Sequence, residues 1–239
     1  MRYELEGKTY WLVGASFGIG AALAKELDAR GVRLILSART LEKLDYLAQG
    51  LTRQAKTVAC DVTDLASVEK AALAAGEFDG LIYMAGDYEP MAAPNWNASR
   101  ALRIADVNFL GALRVFGAVV PKFAKKDSGH IVAVGSLAGF TGLPGAIGYG
   151  SSKAGVMQLA KDMRSDLKDT NVRVQLVNPG FVDTRLTRRN SFRMPFIMDE
   201  ERAAKIIADH MAKRRFSRSF PVLFSWFFRM KGVWDLVRA

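Results

Sequence analysis

The chain has one cysteine in 239 residues, Cys60, so it forms no intramolecular disulfide and no thiolate metal cluster. That scarcity suits a reducing compartment, and the expected location is the cytoplasm. Cys60 ends an apolar run and is expected as a small core residue. Histidine is almost as scarce. His130 and His210 are too few and too far apart to make a metal site, so no metal is expected. No uninterrupted apolar run approaches the ~20 residues of a membrane-spanning helix. Thr9 to Val13 already reads as a strand, so no signal or transit segment is expected before it. Acidic residues are outnumbered, 24 against 34 Lys and Arg, for a net charge of +10. The excess is uneven: from Arg185 onward 13 basic and 5 acidic side chains hold +8 of it. Nucleic acid is not expected as a partner, because this excess is confined to a stretch rich in Trp and Phe.

What is present fits one globular α/β domain: half the residues are hydrophobic and a quarter are charged. Six strand-like runs, TYWLV, RLILS, TVAC, GLIYMAG, HIVAVGS and VRVQLVNPG, alternate with amphipathic helical stretches. One long helix is predicted from about Ser99 to Ala124. The alternation predicts a doubly wound parallel sheet covered on both faces, which binds ligands at the carboxyl ends of its strands. Within the single domain, residues 1–184 form the core, 185–219 a covering segment and helix, and 220–239 an aromatic, basic tail. Gly14 to Gly20, Ala38-Arg39, Asp61, Gly86, Ser136 and Pro179-Gly180 all fall at strand ends.

The stretch from Ile131 to Gly155 concentrates the chemistry. Ser136 follows a strand, and Tyr149 opens a helix with Lys153 four residues later, on the same face one turn away. Of six tyrosines, only Tyr149 has a lysine at this spacing. A phenol near pKa ~10 shuttles protons poorly at neutral pH, and an adjacent cation is expected to lower that value. Gly14, Gly18 and Gly20 form G-x-x-x-G-x-G between a strand and a helix. There the backbone can approach a pyrophosphate and meet its charge with helix amides.

With Ser136, Tyr149 and Lys153, this glycine motif resembles the short-chain dehydrogenase/reductase family over roughly Lys8 to Thr184, implying a Rossmann-like fold. Two positions depart from the family pattern: Val13 replaces a Thr before the glycine motif, and Met84-Ala85-Gly86 replaces Asn-Ala-Gly. The resemblance implies Tyr149 as acid/base, Lys153 as its pKa-lowering partner and Ser136 as hydrogen-bond donor to the substrate oxygen. Asn108 is implied as part of a water relay to Lys153. The cofactor contacts it implies are Gly14, Ser16, Gly18, Ile19, Gly20, Asp61, Val62, Ala85, Gly86, Tyr149, Lys153, Pro179, Gly180, Val182 and Thr184. It also implies a homo-oligomer and a small-molecule carbonyl or alcohol substrate.

Cofactor choice turns on the end of the second strand, Ser37-Ala38-Arg39, which has no carboxylate for a ribose 2′-OH. Arg39 suits a 2′-phosphate, so NADP(H) is expected ahead of NAD(H), although Phe17 stands where many NADP(H) users carry a basic residue. The segment from Arg185 to Pro195 is expected to cover the substrate, and Asp199 to Arg215 to form an amphipathic helix. No seventh strand and no Val-Asp-Gly-Gly-type ending is expected. In the tail, Phe224, Trp226, Phe227, Phe228 and Trp234 beside Arg229, Lys231 and Arg238 suit a membrane surface, a subunit contact or a channel wall. The expected activity is NADP(H)-dependent oxidoreduction of a hydrophobic carbonyl or alcohol. The alternatives are reduction of a 3-ketoacyl group on an acidic carrier protein and a non-catalytic module on the same fold.

Overall fold

Along β1 (Thr9–Val13), successive side chains point to opposite sides, and both sides are buried. Trp11 and Val13 enter one apolar layer, Tyr10 and Leu12 the other. A strand covered on both faces loses the alternating pattern and reads as a continuous hydrophobic run. The computed structural model describes residues 3–190 and 192–237, the last seven as backbone only. Five further strands join it: β2 (Arg33–Ala38), β3 (Lys56–Ala59), β4 (Gly80–Tyr83), β5 (Gly129–Val134) and β6 (Val172–Pro179), of which β3, at the sheet edge, buries only Val58. A seventh, β7 (Ser217–Phe220), corrects the expectation that none is present. It escapes a hydrophobicity search because only Ser219 and Phe220 of its four residues are buried. All pairings are parallel, in the order β3-β2-β1-β4-β5-β6-β7.

One face carries α3 (Leu65–Ala75), α5 (Gly111–Lys126) and α6 (Ile147–Asp166); the other carries α1 (Gly18–Ala29), α2 (Leu41–Gln49) and α7 (Glu200–Met211). The predicted helix from Ser99 to Ala124 is divided into α4 (Ala98–Ala105), one π turn (Asp106–Leu110) and α5. By average hydropathy this run reaches membrane-spanning length, but Ala112, Val115, Phe116, Val119 and Phe123 bury its apolar side in the first layer. Asp199 caps α7 by accepting from the Arg202 amide, and the helix stops four residues short of the predicted Arg215. Helix α8 (Val222–Val237) then follows β7. Cys60 is buried, and burial pushes its thiol up to about 11, so it is inert packing.

At the opposite end of the sheet from the strand carboxyl ends, a buried polar cluster ties β1, β5 and β6 to the α7–β7 connection. The Tyr10 hydroxyl lies 2.6 Å from His130 Nδ1, and His130 Nε2 lies 2.9 Å from Gln175 Oε1. Gln175 Nε2 donates to the carbonyls of His210, Lys213 and Arg215, which fixes its orientation. Burial, with the nearby Arg173 charge, holds His130 well below its usual pKa. Burial likewise brings His210 down to about 4, with the charge of Arg218 acting in the same direction. Both imidazoles are therefore neutral in the folded protein at pH values where the unfolded chain is protonated. Below about pH 6.5 the unfolded chain binds more protons, so stability falls as pH is lowered from 7 toward 4. Urea denaturation at pH 7 and pH 5 is expected to show this loss, and His210→Gln to flatten part of the slope.

Candidate active site

A cleft of about 1670 Å³ opens at the carboxyl ends of the strands. Every residue that the sequence points to lines it except Asn108, which is buried directly behind it. The floor is the turn from β1 into α1. Gly14 adopts φ +96°, and a Cβ there would lie 2.4 Å from the Ala85 amide nitrogen. A Cβ on Gly20 would lie 2.1 Å from the Gly14 carbonyl oxygen, so β1 and α1 approach only as glycines allow. Phe17 precedes α1 and offers no side-chain cap, which leaves the first-turn amides of the helix to the cleft.

Around Phe17 the structure gathers cations that spacing alone did not bring together. Lys43 Nζ stands 4.4 Å from the Phe17 ring centroid, and the Arg185 guanidinium carbon also lies 4.4 Å from it. Arg39, exposed at the end of β2, lines the same wall. Lys43 sits in the first turn of α2, where a cation opposes the helix dipole, and that placement was the overlooked sequence signal. Asp61 ends the β3 wall. Burial raises its pKa, but the Thr63 amide and hydroxyl, aided by Arg39 and Arg114, outweigh this and hold it below the usual range.

Ser136, Tyr149 and Lys153 converge on the far wall. The Ser136 Oγ accepts from the Ala138 amide at 3.1 Å, which leaves its own proton free to be donated. Lys153 Nζ donates to the Val134 carbonyl at 3.0 Å and lies 5.8 Å from the Tyr149 ring centroid. The expected depression of the Tyr149 pKa is not seen: burial raises it, against a lowering influence of Ser136, while Tyr88 adds to the rise. The physical reason is that burial penalises the phenolate by desolvation; the same burial brings Lys153 down to about 8.

Tyr88, which the sequence reading missed, stacks edge-on against Tyr149 with centroids 4.9 Å apart. Its hydroxyl donates to Asn190 Oδ1 at 2.5 Å, joining the Tyr149 wall of the cleft to the 185–195 segment. The basic residues of that segment are largely engaged inside the molecule. Arg188 pairs with Asp183 at 2.8 Å, and Arg189 donates to the Tyr88 carbonyl at 2.6 Å beside Asp87. Asn108, placed by the π turn, clasps the loop after β4. Its Oδ1 accepts from the Asp87 amide at 2.7 Å, and its Nδ2 donates to the Asp87 carbonyl at 3.0 Å and to Ser152 Oγ at 2.9 Å. This clasp holds the loop that Met84, in place of an asparagine, cannot brace with a polar side chain. Asn108→Ala removes three hydrogen bonds of a buried side chain, one of them fully buried, and is expected to cost about 2–4 kcal/mol, read from denaturant midpoints.

With this geometry in view, the chain belongs to the short-chain dehydrogenase family of oxidoreductases: residues 8–193 match the family described as short chain dehydrogenase. Over 225 residues it is 35% identical to an uncharacterized oxidoreductase of Myxococcus xanthus, covering 91% of this chain and 89% of that one. A short-chain dehydrogenase from Sphingobium yanoikuyae in complex with NADPH is 26% identical, with a TM-score of 0.84 over 97% of this chain and 95% of that one. A short chain dehydrogenase/reductase from Burkholderia phymatum in complex with NAD shares the fold at 22% identity, with a TM-score of 0.89 over 99% and 96% of the two chains.

Proposed function

We propose that this protein interconverts a hydrophobic carbonyl compound and its alcohol using NADP(H) in preference to NAD(H). The observation that carries the reading is the convergence of Ser136, Tyr149 and Lys153 on a cleft whose floor is the uncapped start of α1. A dinucleotide fits the residues present. The α1 amides and glycine turn suit its pyrophosphate, Asp61 and Val62 the adenine end, and Pro179 to Thr184 the nicotinamide end. When bound, the nicotinamide supplies or accepts hydride.

The remaining chemistry belongs to the chain's own side chains. In the reductive direction the Tyr149 hydroxyl gives its proton to the substrate oxygen, and in the oxidative direction it takes one back. The Ser136 hydroxyl, free to donate, stabilises charge developing on that oxygen. Lys153 uses one N–H on the Val134 carbonyl and keeps two for the site. Phe181, Phe192, Phe224 and Phe228 line the cleft and favour an apolar substrate. Docking of an acidic carrier protein is less well supported, because Arg188 and Arg189 are already paired with Asp183 and Asp87.

Screening apolar ketones with NADPH tests the activity. Tyr149→Phe is expected to lower kcat by roughly 10²–10⁴-fold with dinucleotide affinity retained; near-normal turnover would refute the assignment. Lys153 loses its proton as pH rises through about 8. Reductive kcat is therefore expected to decline across that pH because the site loses the Lys153 cation, while Tyr149, held above its usual pKa, stays protonated.

Two cations near the start of α2, Arg39 and Lys43, are poorly placed for the helix dipole but well placed for a 2′-phosphate. In a fluorescence titration, Arg39→Asp is expected to weaken NADPH by about tenfold or more and to spare NADH. Equal losses for both dinucleotides would remove the preference.

A further inference from the structure

Helix α8 is apolar on two sides. Phe224 and Phe228 face inward and line the cleft. Leu223, Trp226, Phe227 and Met230, spaced as one helical stripe, face outward and are 86%, 62%, 64% and 54% exposed. Phe196, 68% exposed, adds apolar surface from the covering segment, with its ring 5.4 Å from that of Phe224 at the edge of α8. A soluble monomer does not ordinarily leave so much contiguous aromatic surface in water. Of the predicted tail residues, the side chains of Lys231 and Trp234 and all of Arg238 lie outside the described residues.

The charge around the stripe has one sign. Residues 184–198 hold four arginines and no carboxylate, and residues 219–234 hold Arg229 and Lys231 and no carboxylate. Arg188 and Arg189 are paired within the molecule, whereas Arg193 and Arg229 are exposed and have no carboxylate partner among the described residues. We propose that this face seats on an anionic lipid bilayer, with the aromatic stripe entering the interface, the cations meeting the headgroups and the mouth of the cleft beside the membrane. Trp and Phe with interspersed Arg and Lys are the side chains that an interfacial helix uses. A second copy of the chain is a poorer occupant. A two-fold contact through this face would set Arg193 and Arg229 against their own copies, with no carboxylate among the described residues of 192–198 and 219–230 to pair them.

Flotation of the full-length protein with phosphatidylcholine vesicles, with and without phosphatidylglycerol, tests the proposal whether or not a substrate is known. Anionic vesicles are expected to bind roughly tenfold or more tightly than neutral ones, with the difference lost in high salt. Tryptophan emission is expected to shift to the blue on binding. The double variant Leu223→Ser, Phe227→Ser is expected to lose most of the binding while keeping its far-UV circular dichroism and NADPH titration. Arg193→Gln, at an exposed and unpaired position, provides a second variant that should weaken only the anionic component. No binding of the wild type to anionic vesicles at low salt overturns the proposal, as does undiminished binding by the double variant. Self-association abolished by the same substitutions, without vesicle binding, would assign the face to a second copy instead.

Discussion

The amine of Lys153 is buried at the carboxyl end of β5, within 3.0 Å of the Val134 carbonyl, and the wall proposed as catalytic is arranged around that burial. Desolvating an ammonium is costly, and the protein meets the cost by letting its pKa fall to about 8 rather than by supplying a carboxylate. The group remains mostly cationic at neutral pH yet titrates easily. The same placement pins α6 against β5 and so fixes where Tyr149, one turn earlier, presents its hydroxyl. Gly86 leaves the needed space, since a Cβ there would lie 3.5 Å from Asn108 Oδ1 and 3.7 Å from Lys153 Nζ. Asn108 then closes the back of the site by holding the β4 loop to α6 through Ser152.

What could be read from the sequence follows the same physics. Most of the six predicted strands were legible because they are apolar runs covered on both faces; β3, with only Val58 buried, was legible from its place in the alternation. β7 was not, because SRSF carries no apolar run and takes its place by pairing with β6. The glycine turn and the Tyr149–Lys153 pair were legible because their geometry is local. The grouping of Lys43 and Arg185 about Phe17 was not, because it joins three separate segments. The spacing of Tyr149 and Lys153 gave their proximity correctly but not the direction of the phenol's shift, which depends on how deeply both groups are buried.

Charge counting misleads for a related reason. The excess of +8 after Arg185 invites an acidic partner, yet much of it is committed to the fold. Arg188 and Arg189 fasten the covering segment to Asp183 and to the loop carrying Tyr88, so their charge positions a wall of the cleft. The cations without a carboxylate partner among the described residues can be identified only after these pairings are subtracted. Among them, Arg229 shares α8 with the aromatic stripe.

The edge strand that the sequence concealed supports much of this arrangement. The Phe220 carbonyl at the end of β7 accepts from the Gly180 amide at 2.7 Å, tying β7 to the segment that follows β6. Phe220 itself is buried in the second apolar layer, and α8 begins two residues later. The anchor of the Pro179-Gly180 turn is therefore also the anchor of the helix whose inner face walls the cleft. A change that loosens β7 would disturb the proposed nicotinamide end and the substrate wall together. Two regions that look independent along the chain are thus joined through β7, and α8 takes its starting point from the same short strand.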